Sequence, residues 1–156
     1  MNNFLRLHNF STRFDYQLTI WGVALIGLIL RIFVAMQFLK AGVLKVKDWD
    51  STLSLFREEY TVPLLSPEVA AVLGAGGELI FSALLLLGLF SRPAALGLFL
   101  VNIMAVISYP RLWTFDCPAA INDHFYWGML LLVLIAIGPG KISLDLWLRN
   151  IFVKLK

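Results

Sequence analysis

Two charged residues sit where a chain of this kind should not tolerate them. Arg31 interrupts an apolar run from about Ile20 to Leu39, and Glu78 interrupts another from Val69 to Phe90. A charge at mid-bilayer costs at least about 2.5 kcal/mol on insertion scales, so such residues face the bundle interior and find partners there. Arg31 comes eight residues before the end of its run and Glu78 nine after the start of its own. On antiparallel helices rising 1.5 Å per residue, these counts put both at one depth. Small residues flank each at four-residue spacing, Gly27–Arg31–Ala35 and Gly74–Glu78–Ser82, which permits close helix approach. The spacing therefore predicts an Arg31–Glu78 ion pair. Such a pair serves either to fix helix register or as the polar floor of a ligand or proton site.

Other residues extend the second reading. Asn102 lies seven residues before Tyr109 on a third run, near the same level. Tyr126 and Trp127 open a fourth run, and Gln37 and Lys40 follow Arg31. Together they outline a polar pocket with aromatic walls. A quinone head group would suit it, because its carbonyls accept hydrogen bonds from Arg, Asn or Tyr while its tail lies in lipid. The alternative is that Asn102 serves packing and the aromatics form the ordinary interfacial belt.

Cys117, Asp123 and His124 form a polar stretch before the fourth run. It reads as a partner-facing loop, with Asp123 near a helix N-terminus, or as a weak metal site completed by a partner's ligands. The chain offers no metal site of its own. Its single cysteine excludes an intramolecular disulfide and a self-contained dithiol cycle. No phosphate loop, dinucleotide fingerprint or Ser-His-Asp spacing is present. Whether the chain is an enzyme stays open; any activity would be that of an accessory subunit of a quinone-linked oxidoreductase.

The elements that position these residues follow from composition. Of 156 residues, 60% are hydrophobic and only 15% charged, with a mean hydropathy of +0.82, whereas soluble domains carry about 25% charged residues. That excludes a soluble globule and a disordered chain. The net charge of +3 is too small and dispersed for a nucleic-acid groove. An all-α fold is expected: a four-transmembrane-helix bundle forming one integral membrane domain over 1–156, with spans at about 20–39, 69–90, 93–109 and 124–138. The first run lacks a small-x-small cleavage site, so it reads as an uncleaved span rather than a signal peptide. Ser91-Arg92 makes the second and third spans a hairpin, and Gly138-Pro139-Gly140 stops the fourth.

Two amphipathic interfacial helices complete the expectation. One carries Trp49, Leu53 and Phe56 in the first loop, lies at the interface or caps the bundle, and is ended by Pro63 and Pro67. The other is C-terminal, with Ser143 as N-cap, Asp145 in the first turn, and Leu144, Trp147, Leu148, Ile151 and Phe152 on one face. Seven Lys/Arg fall on the side of the termini and five on the other, which places both termini in the cytoplasm. The small-residue faces also permit a homo-oligomer.

The sequence resembles the DoxX family of small four-helix membrane proteins. The likeness covers about Gly27 to Leu148. It rests on Arg31, on Gly42 with Lys45 beyond it, on Glu78 before Leu87-Gly88-Leu89-Phe90-Ser91-Arg92-Pro93-Ala94-Ala95, and on Gly138-Pro139-Gly140-Lys141-Ile142-Ser143-Leu144-Asp145. The family takes its name from a subunit of an archaeal quinol oxidase and thiosulfate:quinone oxidoreductase system. Its bacterial relatives are linked to thiol and oxidative-stress redox complexes, or occur beside genes for small secreted metal-binding peptides. The resemblance implies a redox-associated protein of the bacterial inner membrane, in contact with lipid and with a protein partner in a redox or metal-handling system. The alternative is a non-enzymatic anchor or maturation partner for an extracytoplasmic protein, working through the Lys40–Glu68 and Tyr109–Asp123 loops.

Overall fold

The computed structural model describes residues 2–114 and 118–154, and the described residues are helical apart from turns and short connections. Six α-helices follow in order: α1 Asn2–Lys47, α2 Trp49–Glu58, α3 Pro67–Leu87, α4 Ser91–Ser108, α5 Pro118–Ile137 and α6 Leu144–Lys154, with a 3-10 helix at Pro110–Trp113 between α4 and α5. Parts of α1, α3, α4 and α5 are long and apolar enough to cross a membrane, so the chain is a multi-pass membrane protein. Large apolar side chains such as Ile29, Phe33, Leu73, Ile80 and Leu100 remain exposed on these helices, which in a bilayer is the surface that lipid covers.

The core is built where α1, α3, α4 and α5 meet. Val34, Ala35 and Phe38 pack with Leu85, Ala94, Ala95, Leu98, Leu131 and Leu134. A smaller cluster of Phe56, Ala70 and Ala71 fastens α2 onto α3, as the spacing of Trp49, Leu53 and Phe56 predicts. Asp48 caps α2 by accepting from the Ser51 N–H at 3.1 Å. Pro67 starts α3 rather than merely ending the preceding segment, behind Ser66 as N-cap.

The first helix does not stop at Leu39. It continues to Lys47, which moves the depth of Arg31. The antiparallel register of α1 and α3 is set by Gly42, where an added Cβ would lie 2.9 Å from Leu79 Cγ and 3.1 Å from Glu78 Cβ. Glu78 therefore faces Gly42. Arg31, eleven residues earlier and roughly 16 Å along the helix, lies beside Gly88 at the other end of α3. The predicted Arg31–Glu78 pair is not formed. The two small-residue triads do not face each other either: Gly27 packs on Ile137 and Gly74 on Phe56.

At this end of the bundle, the turn end, polar groups hold the connections together. Arg31 is 2% exposed and donates to the backbone carbonyls of Pro139, at 3.0 Å, and Ile142. These carbonyls lie just past α5, where the chain turns through Gly138 and Gly140, both at positive φ. The α3–α4 turn needs two left-handed residues, Gly88 (φ 66) and Phe90 (φ 48), of which only glycine adopts that conformation without a steric cost. Phe90 supplies no side-chain cap to α4. Asp145 does so from α6, accepting the Phe90 N–H at 2.8 Å, the Ser91 N–H at 2.9 Å and the Ser91 hydroxyl at 2.8 Å. Arg92 in turn donates to the Ile135 and Ala136 carbonyls near the end of α5. The two segments that carry the family likeness are thus two sides of one latch. Nearby, Lys141 Nζ sits 4.6 Å over the Trp21 ring.

Candidate functional site

The partner of Glu78 is Lys45. It lies one helical turn beyond Gly42, on the part of α1 that hydropathy assigns to a loop. Its ammonium reaches both carboxylate oxygens at 2.6 Å, and the two side chains are 18% and 9% exposed. The close approach at Gly42 brings the helices near enough for this contact. Beyond it the α1–α2 junction is held by the Thr52 hydroxyl, which donates to the carbonyls of Lys45 and Asp48.

The ion pair lies on the wall of a cavity of about 290 Å³ bounded by α3, α4 and the segment after α2. Its other lining is mostly apolar, including Phe56, Val62, Phe81, Gly97, Val101 and Met104, and its remaining polar residues are Tyr60 and Ser108. Gly97 makes room for Phe81, whose ring lies 2.6 to 2.7 Å from where a Cβ would stand. The Ser108 hydroxyl is buried and has no hydrogen-bond partner, an arrangement that costs free energy unless something else satisfies it. Leu73, Leu100 and Met104 line the cavity and are also exposed, so it opens on the lipid-facing surface between α3 and α4.

The segment after α2 is fastened over this cavity. Tyr60 stacks between Phe56 and Tyr109, with ring centroids 4.6 and 4.9 Å apart. The Thr61 N–H donates to the Ser108 carbonyl at 2.7 Å. The Tyr109 hydroxyl donates to Glu59 at 2.9 Å, and Arg111 reaches Glu59 at 3.3 Å. Burial, with the nearby Glu78, Tyr109 and Glu59, pushes the Tyr60 phenol up to about 12. At neutral pH its hydroxyl keeps its proton and is available as a donor.

A second polar contact joins α4 to α5. The Asn102 amide donates to the His124 carbonyl at 2.9 Å, and its oxygen lies 2.7 Å from His124 Nδ1. Asn102 is thus occupied by His124 and does not contribute to the Glu78 cavity. Trp127 packs edge-on between Phe38 and His124, with centroids 5.7 and 5.1 Å away. It is part of the packing rather than a cavity wall. Tyr126 and Lys40 are exposed, Gln37 is half-buried, and Asp123 is exposed beside His124. None of these four lines the Glu78 cavity. Cys117 lies outside the described residues. Among those described, no group of three His, Cys, Asp or Glu is placed to hold a metal ion. Of the residues the sequence proposes for a polar pocket, only Glu78 lines this cavity, joined by Phe56 and Gly74, which the sequence marks for packing, and by Lys45, which it marks beside Gly42. Lys45 is marked in the sequence only by its spacing from Gly42 and not as the partner of Glu78, and Tyr60 and Ser108 are not marked at all.

The DoxX family model matches residues 26–111, a segment that contains Arg31, Lys45, Tyr60, Glu78 and Ser108. The chain belongs to the DoxX family. A protein of Haemophilus influenzae described as uncharacterized is 30% identical over 138 residues, covering 84% of this chain and 87% of its own length. No solved structure matches the chain. The matched segment ends before α5, so His124 and the Gly138–Asp145 half of the latch lie outside it, while the complete Lys45–Glu78 cavity lining lies inside it.

Proposed function

We propose that this DoxX protein is a redox-associated membrane subunit that engages quinone or quinol in the Lys45–Glu78 cavity. The observation that carries the reading is the cavity's composition. Apolar walls surround an ion pair, and the buried Ser108 hydroxyl lacks a partner. A quinone needs donors for two carbonyl oxygens and an apolar route for its tail. Ser108, Tyr60 and the Lys45 ammonium are available as donors, and the exposed flank at Leu73 and Leu100 supports an exit for the tail into lipid. The volume of about 290 Å³ is near the lower end of ordinary small-molecule pockets.

A bound quinone would supply two-electron redox chemistry. The chain's own residues bind and orient it. Lys45 and Ser108 fix the polar end, and the Phe56–Tyr60–Tyr109 stack excludes water from above. Glu78, already hydrogen-bonded to an ammonium, holds or releases a proton at its carboxylate. On this reading the protein lies in the bacterial inner membrane with both termini cytoplasmic, and the Lys/Arg excess on the side of the termini supports that orientation.

The test is mass spectrometry of lipid co-purified with the protein in native-membrane discs. Quinone retained by the wild type and lost from Lys45→Met/Glu78→Leu, a change that removes both charges together, is expected. Equal quinone content in the two, or none in either, would overturn the reading.

A further inference from the structure

The Asn102–His124 contact determines more than helix packing. The Asn102 amide nitrogen lies against a backbone carbonyl, which only accepts, so the orientation of the amide is fixed by chemistry. Its oxygen must then be the atom facing His124 Nδ1 at 2.7 Å, and Nδ1 must carry the proton. In the neutral imidazole the lone pair is therefore at Nε2, and Nε2 has no partner among the described residues. A histidine whose tautomer is set through one nitrogen offers the other as a directed acceptor.

His124 and Asn102 line a cavity of about 260 Å³ between α4 and α5, whose other walls are apolar, including Phe99, Phe125 and Met129. It shares no lining residue with the Lys45–Glu78 cavity. Asn102 is only 4% exposed, and an added Cβ at Gly128 would come within 3.3 Å of its amide nitrogen. The positioning group is thus enclosed by packing, while Trp127 braces the imidazole edge-on.

We propose that the α4–α5 cavity is a second binding site, for an apolar molecule bearing a hydroxyl group whose O–H is accepted by His124 Nε2. Asn102 is the positioning residue. The site is independent of the quinone reading of the other cavity, because it is read at His124 alone. A phenol or long-chain alcohol fits the chemistry, whereas an ether of the same shape leaves Nε2 unpartnered.

The test uses the full chain in lipid nanodiscs with ¹⁵N-labelled histidine in mildly alkaline buffer. The chain has two histidines, and His124→Phe, which keeps a ring against Trp127, identifies the signal. The neutral Nδ1–H tautomer is expected before any ligand is added. Titration with 4-nonylphenol should move the Nε2 resonance, with about tenfold tighter binding than its methyl ether, 4-nonylanisole, as one hydrogen bond allows. Asn102→Ala should mix the tautomers and erase the preference. An Nε2–H tautomer in the wild type, or equal binding of the two probes, would overturn the proposal. Equal binding would mark the cavity as an ordinary lipid cleft.

Discussion

At the turn end of the bundle, Arg31 and Asp145 reach backbone groups. At the α2 end, Lys45 and Glu78 reach each other beside a cavity. Arg31 supplies donors to two carbonyls of the connection between α5 and α6, and Asp145 supplies acceptors to N–H groups left free where α4 begins. The first N–H groups of a helix have no partner within it, and buried loop carbonyls need one as well, so these two charges complete the backbone and hold the connections in place. The Lys45–Glu78 pair satisfies no backbone group in this way. It borders a space of about 290 Å³ in which a serine hydroxyl still lacks a partner. A buried charge in a membrane bundle is therefore not by itself a sign of a site. What distinguishes the two ends is what the charges reach: backbone groups at one, and each other on the wall of a cavity at the other.

The largest effect is expected at the ion pair. Glu78→Leu alone leaves the Lys45 ammonium without its counter-ion and should lower stability by about 3 to 5 kcal/mol. The Lys45→Met/Glu78→Leu double variant should return to within about 1 kcal/mol of the wild type, because removing both charges leaves none uncompensated. Reversible unfolding in mixed micelles measures both. Arg31→Met should cost about 3 kcal/mol through its two lost charged hydrogen bonds. Its cost should simply add to that of Glu78→Leu, as expected for distant sites. Coupling between Arg31 and Glu78 would restore the pairing that the apolar runs suggest and remove the contrast between the ends.

Smaller effects sharpen the turn end. Burial pushes the Asp145 carboxyl up, but the Ser91 N–H and hydroxyl, the Phe90 N–H and the charge of Arg31 outweigh it and hold the group below its usual value. A depressed carboxyl contributes stability that is present above the unfolded value of about 3.9 and is lost as pH falls through the lower native one. Asp145→Asn should cost about 1 kcal/mol at neutral pH, as the loss of a helix cap does, and should flatten this acid dependence. The smallest effect separates two serines. Ser91→Ala loses a bond to Asp145 and should cost about 1 kcal/mol, whereas Ser108→Ala removes an unpaired hydroxyl and should cost nothing measurable. Both are read by the same unfolding assay.

Much of the fold is legible in the residues. The four apolar runs, Trp49 with Leu53 and Phe56, and the Gly138-Pro139-Gly140 stop each have a direct physical signature, and each appears in the structure as a helix, a packed face or a helix end. The site is less legible. Hydropathy ends the first span where Lys40 interrupts it, but the hydrogen-bonded helix continues to Lys47. That moves Arg31 away from Glu78 and brings Lys45 to it. A carboxylate in an apolar run signals that a partner exists, yet not which cation the register will deliver. Asp145 was legible as a first-turn acid of α6, but the N–H groups it caps belong to α4, 55 and 54 residues away in sequence. Ser108 carries no signal at all in the sequence, since an unpaired hydroxyl is defined only by what surrounds it.

The most direct measurement is the shift in unfolding temperature that a short-tailed quinone produces in the wild type and in Ser108→Ala. Equal unfolding temperatures are expected without quinone, with a clear upward shift in the wild type on adding it and a reduced shift in the variant. No shift in the wild type, or the same shift in both proteins, would contradict the quinone reading of the cavity.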